Sequence, residues 1–187
     1  MSKGLLMILS GPSGVGKDTV INAWKERNPD VERVVAYTTR DPRPGEVDGV
    51  DYRFISRSEF YNRADCGEFL EYKEVHEYYY ATPYKDVEEL MAEGKIAVLK
   101  IDVKGALTVM ALRGDAVAVF LLPPDADELE RRIKERGTED TATIIKRLRN
   151  AQEEIALAIK YQHRIINDDV NRVVDCLENI AREGRGV

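Results

Sequence analysis

Apolar positions along the chain fall into two patterns that alternate. Short unbroken blocks, Leu5 to Leu9, the start of IAVLKID at Ile96, and Ala116 to Leu122, predict strands buried on both faces. Spaced stripes predict helices. Val20, Ile21 and Trp24 form one that starts near Thr19 and stops by Pro29, and Tyr84 to Glu93 forms another that Gly94 ends. Residues 104–112 follow, then a helix opened by Asp125 with Leu129 and Ile133 facing inward. After the break at GTED, Ala142 to His163 reads as one long helix with Ile144, Ile145, Leu148, Ala151, Ile155 and Ile159 inward. Arg33 to Tyr37 and Arg164 to Asn167 predict further strands, and Val170 to Ala181 a last helix. Strands alternating with helices imply a doubly wound α/β core with a parallel sheet.

Residues 38–82 break that rhythm. Asp48-Gly49 within Val47 to Ile55 predicts a hairpin, and Ser56 with Glu59 a capping box for a short helix ending before Gly67. Phe69 to Val75 and Tyr78 to Thr82 then predict two strands. The expectation is a small β-rich insertion at 38–82, dividing a core made of 1–37 and 83–187.

Composition narrows the class. A chain of 187 residues suffices for one α/β domain with a large core. No run approaches the roughly 18 apolar residues that span a bilayer, and Leu5 to Leu9 is too short for a signal peptide. Cys66 and Cys176 have no ligand-like spacing, so free thiols in a reducing cytoplasm are expected. A net charge of -6 argues against a basic nucleic-acid surface, so an anionic substrate must be met by local arginines.

The chemistry begins after the first strand, in GPSGVGKD at residues 11–18. A glycine loop between strand and helix turns its backbone N–H groups toward phosphate oxygens, and the helix N-terminus adds a favourable dipole. Gly11, Pro12, Ser13, Gly14, Val15, Gly16 and Lys17 stand in the register of a phosphate-binding P-loop. Asp18 occupies the position where a hydroxyl usually meets magnesium, and Thr19 follows.

With the segments TTRDPRPGEVDGVDYRF, FLEY, YYYATP, KIDVKG, PPDADELERRIKERGTE and IINDD in this order, the chain resembles guanylate kinases over nearly its full length. The resemblance implies a P-loop NTPase-type α/β fold with a GMP-binding insertion and a helical lid at about 125–147. It implies transfer of the γ-phosphoryl group of ATP to GMP, and to dGMP, with Mg2+ as cofactor, in the cytoplasm. Arg40, Arg43, Tyr52 and Tyr80 match positions at the acceptor phosphate, while Glu71, Thr82 and Asp102 match the guanine side. Lys17 matches the P-loop lysine, and Arg132, Arg136 and Arg147 match arginines that meet the transferring group. Asn167 matches the adenine side, whereas Arg131 falls off the pattern as a surface ion-pair residue. The implied partners are ATP and GMP, with neither nucleic acid nor membrane; monomer and homo-oligomer stay equally open.

Three positions depart from the family. Ala36 replaces a hydroxyl residue at the guanine, Asp18 replaces the P-loop hydroxyl, and Lys100 stands where an acid is usual. The last two read either as one event, with Asp18 supplying the carboxylate to the metal and Lys100 pairing with Asp18, or as unrelated changes, with Lys100 pointing elsewhere and Asp18 only capping the helix. Two rival readings remain: a silent binding module on the same fold, and a sugar-phosphate kinase. Neither His76 nor His163 falls in a motif.

Overall fold

The computed structural model describes residues 3–75, 77–135 and 141–186. Its centre is β1 (Leu5–Ser10), every residue of which is buried. Because side chains alternate across a strand, Leu5, Met7 and Leu9 enter one core cluster while Leu6 and Ile8 enter another. On the first face pack α1 (Lys17–Arg27), through Val20, Ile21 and Trp24, and α7 (Val170–Arg185), through Val173, Val174 and Leu177. On the second face pack α3 (Tyr84–Ala92) and α4 (Val103–Leu112), through Val87, Val103, Ala106 and Val109.

The main sheet is parallel throughout. It contains β2 (Val31–Arg33), β7 (Ile96–Lys100), β8 (Val117–Leu122) and β9 (His163–Ile166) in the order β2-β7-β1-β8-β9. With helices on both faces this is the expected doubly wound α/β fold. A smaller core of Leu129, Ile133 and Ala151 joins α5 (Ala126–Glu135) to α6 (Thr141–Ala156).

A second sheet has the order β4-β3-β6-β5, formed by β3 (Tyr37–Thr38), β4 (Arg53–Phe54), β5 (Phe69–Val75) and β6 (Tyr78–Pro83). Against it lies α2 (Arg57–Asp65), whose Phe60 is fully buried among the rings of Phe69, Tyr72 and Tyr79. Ser56 caps α2 as expected, but Glu59 turns to Arg63 at 2.8 Å.

Three sequence expectations change. The strand at Arg33 to Tyr37 divides: Val34 N–H still reaches Val98 of the main sheet, whereas Tyr37 pairs with Arg53 and Ala81 of the second. The hairpin at Asp48-Gly49 is absent because two carboxylates take its donors. Asp51 Oδ2 accepts from Val47 N–H and Asp48 Oδ1 from Phe54 N–H, so β4 runs parallel beside β3. The long helix ends at Ala156, tightens into a 3-10 turn at Leu157–Lys160, and gives way to β9. Pairing with β8 overrides the helical periodicity, and Ile145 and Ile159 lie exposed rather than inward.

Candidate active site

The strands of the main sheet all point their carboxyl ends the same way, and that end of an open parallel sheet is where ligands collect. β1 runs into residues 11–16, β2 ends at Arg33, β7 leads to Lys100 and Asp102, and β9 leads to Asn167. The glycine loop holds an anion-ready shape: Gly16 has φ 99°, and a Cβ there would stand 2.8 Å from Asn167 Nδ2. Asn167 is buried and donates to Val15 O at 2.7 Å, fixing the loop against the end of β9. Lys17 folds back over the loop, donating to Gly11 O at 2.6 Å and Pro12 O at 3.1 Å. That is a lysine holding the carbonyl rim of an anion cradle.

Two arginines come to the same loop. Arg132 donates to Glu128 at 2.7 Å and to Val15 O at 3.1 Å, and Arg147 donates to Ser13 Oγ at 2.9 Å. Arg131 pairs with Glu128 on the surface, as expected. A cavity of about 330 Å³ is lined by Gly14, Gly16, Thr19, Arg132, Asn167, Asp168 and Val170. Arg136 lies outside the described residues. For Glu154 of α6 burial raises the pKa, and Lys17 and the backbone of Ser13 oppose that rise. The inward pattern of α6 did not single it out.

The second sheet contributes a different set. Arg40 binds Glu46 through both terminal guanidinium nitrogens, at 2.9 Å and 2.8 Å, and lies 5.5 Å from the Tyr52 ring centre. The Glu46 bond and Tyr80 hold its pKa above the ordinary guanidinium value. Arg43 stands exposed on the loop, its backbone N–H donating to Glu46 at 2.7 Å. Tyr52 and Tyr80 meet edge to face at 5.8 Å. Glu46 was not a sequence candidate; only the folded loop shows that it orients Arg40.

Glu71 and Thr82 are cross-strand partners on β5 and β6. Both are buried, and the Thr82 hydroxyl donates to Glu71 Oε1 at 2.8 Å. Burial pushes the Glu71 pKa up to about 7; the Thr82 bond opposes this and Asp102 adds to it. Asp102 caps α4 by accepting from Gly105 N–H at 2.6 Å. Gly105 itself was overlooked in the KIDVKG segment. A Cβ on it would stand 3.0 Å from Glu71 Oε2 and 3.1 Å from Asp102 Oδ1, so glycine makes room for two carboxylates.

Between the two sets lies Asp18. Its Oδ1 accepts from Lys100 at 2.6 Å and from Arg33 at 3.4 Å. Burial works against this carboxylate, but Lys100, Arg33 and Lys17 outweigh it and hold its pKa below the usual range. Among the described residues no cluster of three metal-ligating side chains exists. One exposed-edge carboxylate beside a phosphate cradle still suits magnesium, which keeps several waters and takes further oxygens from phosphates.

A sequence model described as guanylate kinase matches residues 3–183. The chain belongs to the guanylate kinase family. A guanylate kinase of Clostridium perfringens is 42% identical over 179 residues, covering 96% of this chain and 83% of that protein. One from Caldanaerobacter subterraneus subsp. tengcongensis is 44% identical, covering 95% of this chain and 86% of its own length. Among solved structures, guanylate kinase from Anaplasma phagocytophilum superposes with a TM-score of 0.80 at 31% identity, covering 99% of this chain and 88% of that one. No described helix is long and apolar enough to cross a membrane.

Proposed function

We propose that the chain moves the γ-phosphoryl group of ATP to GMP, and to dGMP, giving ADP and the nucleoside diphosphate. It is an ATP:GMP phosphotransferase working in the cytoplasm. The observation that carries this reading is the buried Glu71 and Thr82 pair beside an arginine and tyrosine phosphate site, on the far side of Asp18 from a P-loop. Guanine offers N1–H and its amino group side by side, and the ionised Glu71 accepts from both. Adenine would turn a lone pair toward the same carboxylate, leaving a buried charge poorly paired, which supports strong discrimination.

Arg40, Arg43, Tyr52 and Tyr80 hold the acceptor phosphate. Guanidinium groups suit it because they bind oxygens bidentately and keep their charge. Backbone N–H groups of residues 11–17 and Lys17 hold the donor phosphates, with Asn167 at the adenine side. The acceptor oxygen already carries negative charge, so no base is needed. Its bond to Pγ forms while the bond from Pγ to the oxygen bridging to Pβ breaks, and ADP leaves with that electron pair. Arg132, Arg136 and Arg147 meet the charge spread over the transferring oxygens. Asp18 would hold Mg2+, which when bound neutralises charge on the β- and γ-oxygens. Residues 38–82 act as the GMP-binding part and about 125–147 as the lid, closing on their nucleotides to exclude water.

An ADP-release assay offering GMP, dGMP, AMP, CMP, UMP and a sugar phosphate tests the reading. Strong turnover with GMP and almost none with AMP is expected. Equal use of AMP, preference for the sugar phosphate, or binding of GMP without any turnover would sink it.

A further inference from the structure

The cation at the end of β7 has no part in the reading above, although it stands between the two phosphate sites. Lys100 Nζ donates to Asp18 Oδ1 at 2.6 Å and lies 5.6 Å from the centre of the Tyr52 ring. Arg40 lies 5.5 Å from that same ring. The two cations are therefore separated by no more than the sum of those distances, with Tyr52 as their common neighbour. A phosphate held by Arg40 at Tyr52 comes within reach of a lysine on a flexible four-carbon stem.

Charge points the same way. Lys17, Arg33 and Lys100 all act on the carboxylate of Asp18, and Lys17 also faces Glu154. Two of the three are engaged elsewhere. Lys17 holds Gly11 O and Pro12 O, and Arg33 donates to the carbonyls of Val50 and Asp51. Lys100 is half-buried at the base of the cleft, in an ion pair with Asp18. A cation paired with one half-exposed carboxylate and standing beside an arginine-lined site can exchange that partner for an anion.

We infer that Lys100 is a further substrate-binding residue, which leaves Asp18 for the acceptor phosphate of the bound nucleoside monophosphate. This rests on the GMP kinase reading above. Asp18 holds the ammonium until the phosphate arrives, so that the half-buried charge is not left unpaired. The arriving phosphate replaces that partner, and the released Asp18 carboxylate faces the donor side.

Calorimetric titration with GMP, without ATP or magnesium, tests the inference on the intact chain. Lys100→Met weakens GMP about tenfold, the size of one lost charge-assisted hydrogen bond, while guanosine competes as well as before. Lys100→Arg keeps most of the affinity. Asp18→Asn tightens GMP, because the lysine loses its competing partner, and this gain disappears when Lys100→Met is added. Thermal melting accompanies each variant; should Lys100→Met fail to fold, the tightening in Asp18→Asn alone decides. GMP bound equally by wild type, Lys100→Met and Asp18→Asn would overturn the inference and leave Lys100 as a prop for Asp18. Wild type that fails to prefer GMP over AMP would instead overturn the GMP kinase reading.

Discussion

Thr82 donates its hydroxyl hydrogen to Glu71 across neighbouring strands, and that bond is what a buried carboxylate keeps when burial has lifted its pKa to about 7. In the free protein Glu71 is thus half-protonated near neutrality. Guanine needs it ionised. GMP binding should therefore release a proton, and affinity should fall by up to about tenfold per pH unit below that value. Titrations in buffers of different ionisation heat measure the release directly. Glu71→Gln should abolish both the release and the preference over AMP.

The same shift acts on stability. Glu71 has a folded pKa raised above its ordinary 4.5, so the folded state binds more protons than the unfolded one between those values. Its contribution is fully present below about pH 4.5 and is lost as the pH rises through about 7. Relative to Glu71→Gln, the wild-type protein should lose melting temperature as the pH is raised across that window.

Gly16 sits at positive φ with Asn167 Nδ2 against the place a Cβ would take. Gly16→Ala should cost about 1–3 kcal/mol of stability through backbone strain, and should displace Asn167 from Val15 O. ATP affinity should fall more than GMP affinity, which separate binding titrations will show. Equal losses for the two nucleotides would mean that the loop does not belong to the donor side.

Arg131 and Arg132 are neighbours that share Glu128, and Arg132 also turns to the glycine loop. Arg132→Met should lower kcat by about a hundredfold to a thousandfold, as expected for a lost donor to a charged transition state. Arg131→Ala should change kcat little, since exposed pairs contribute less than about 1 kcal/mol. Steady-state kinetics on the two variants side by side gives the contrast.

Trp24 is fully buried between α1 and the sheet, and its indole N–H donates to Glu178 of α7. Trp24→Ala removes the largest side chain of that core, so it should cost about 3–5 kcal/mol in chemical denaturation. The Glu178 carboxylate keeps Asn28 Nδ2 at 2.8 Å as a donor, so Trp24→Phe should cost less.

Much of the core could be read from residue pattern, because β1 and β8 are unbroken apolar runs and α1 follows its loop without interruption. Failures fell where long-range pairing competes with local preference. Arg33 to Tyr37 has the composition of one strand, yet the chain leaves one sheet at Val34 and joins another at Tyr37. Nothing within those five residues marks the exit. In the same way, the apolar spacing of α6 continues past Ala156 while pairing of β9 with β8 ends the helix.

The candidate site divides along the same line. Residue types and their order along the chain were enough to expect a phosphate loop from its local motif and, through the family resemblance, a pair of loop arginines and an acid for guanine. The Asp18 and Lys100 pair could be suspected from two departures in that order, 82 positions apart. Partners chosen by packing were out of reach: Glu46 on Arg40, Gly105 beneath Glu71, Arg33 on Asp18, and Glu154 under Ser13. Motifs carry chemistry because it is short-ranged in sequence. Orientation, burial and shifted acidity arise only when distant segments exclude water from one another, and that the tertiary structure alone decides.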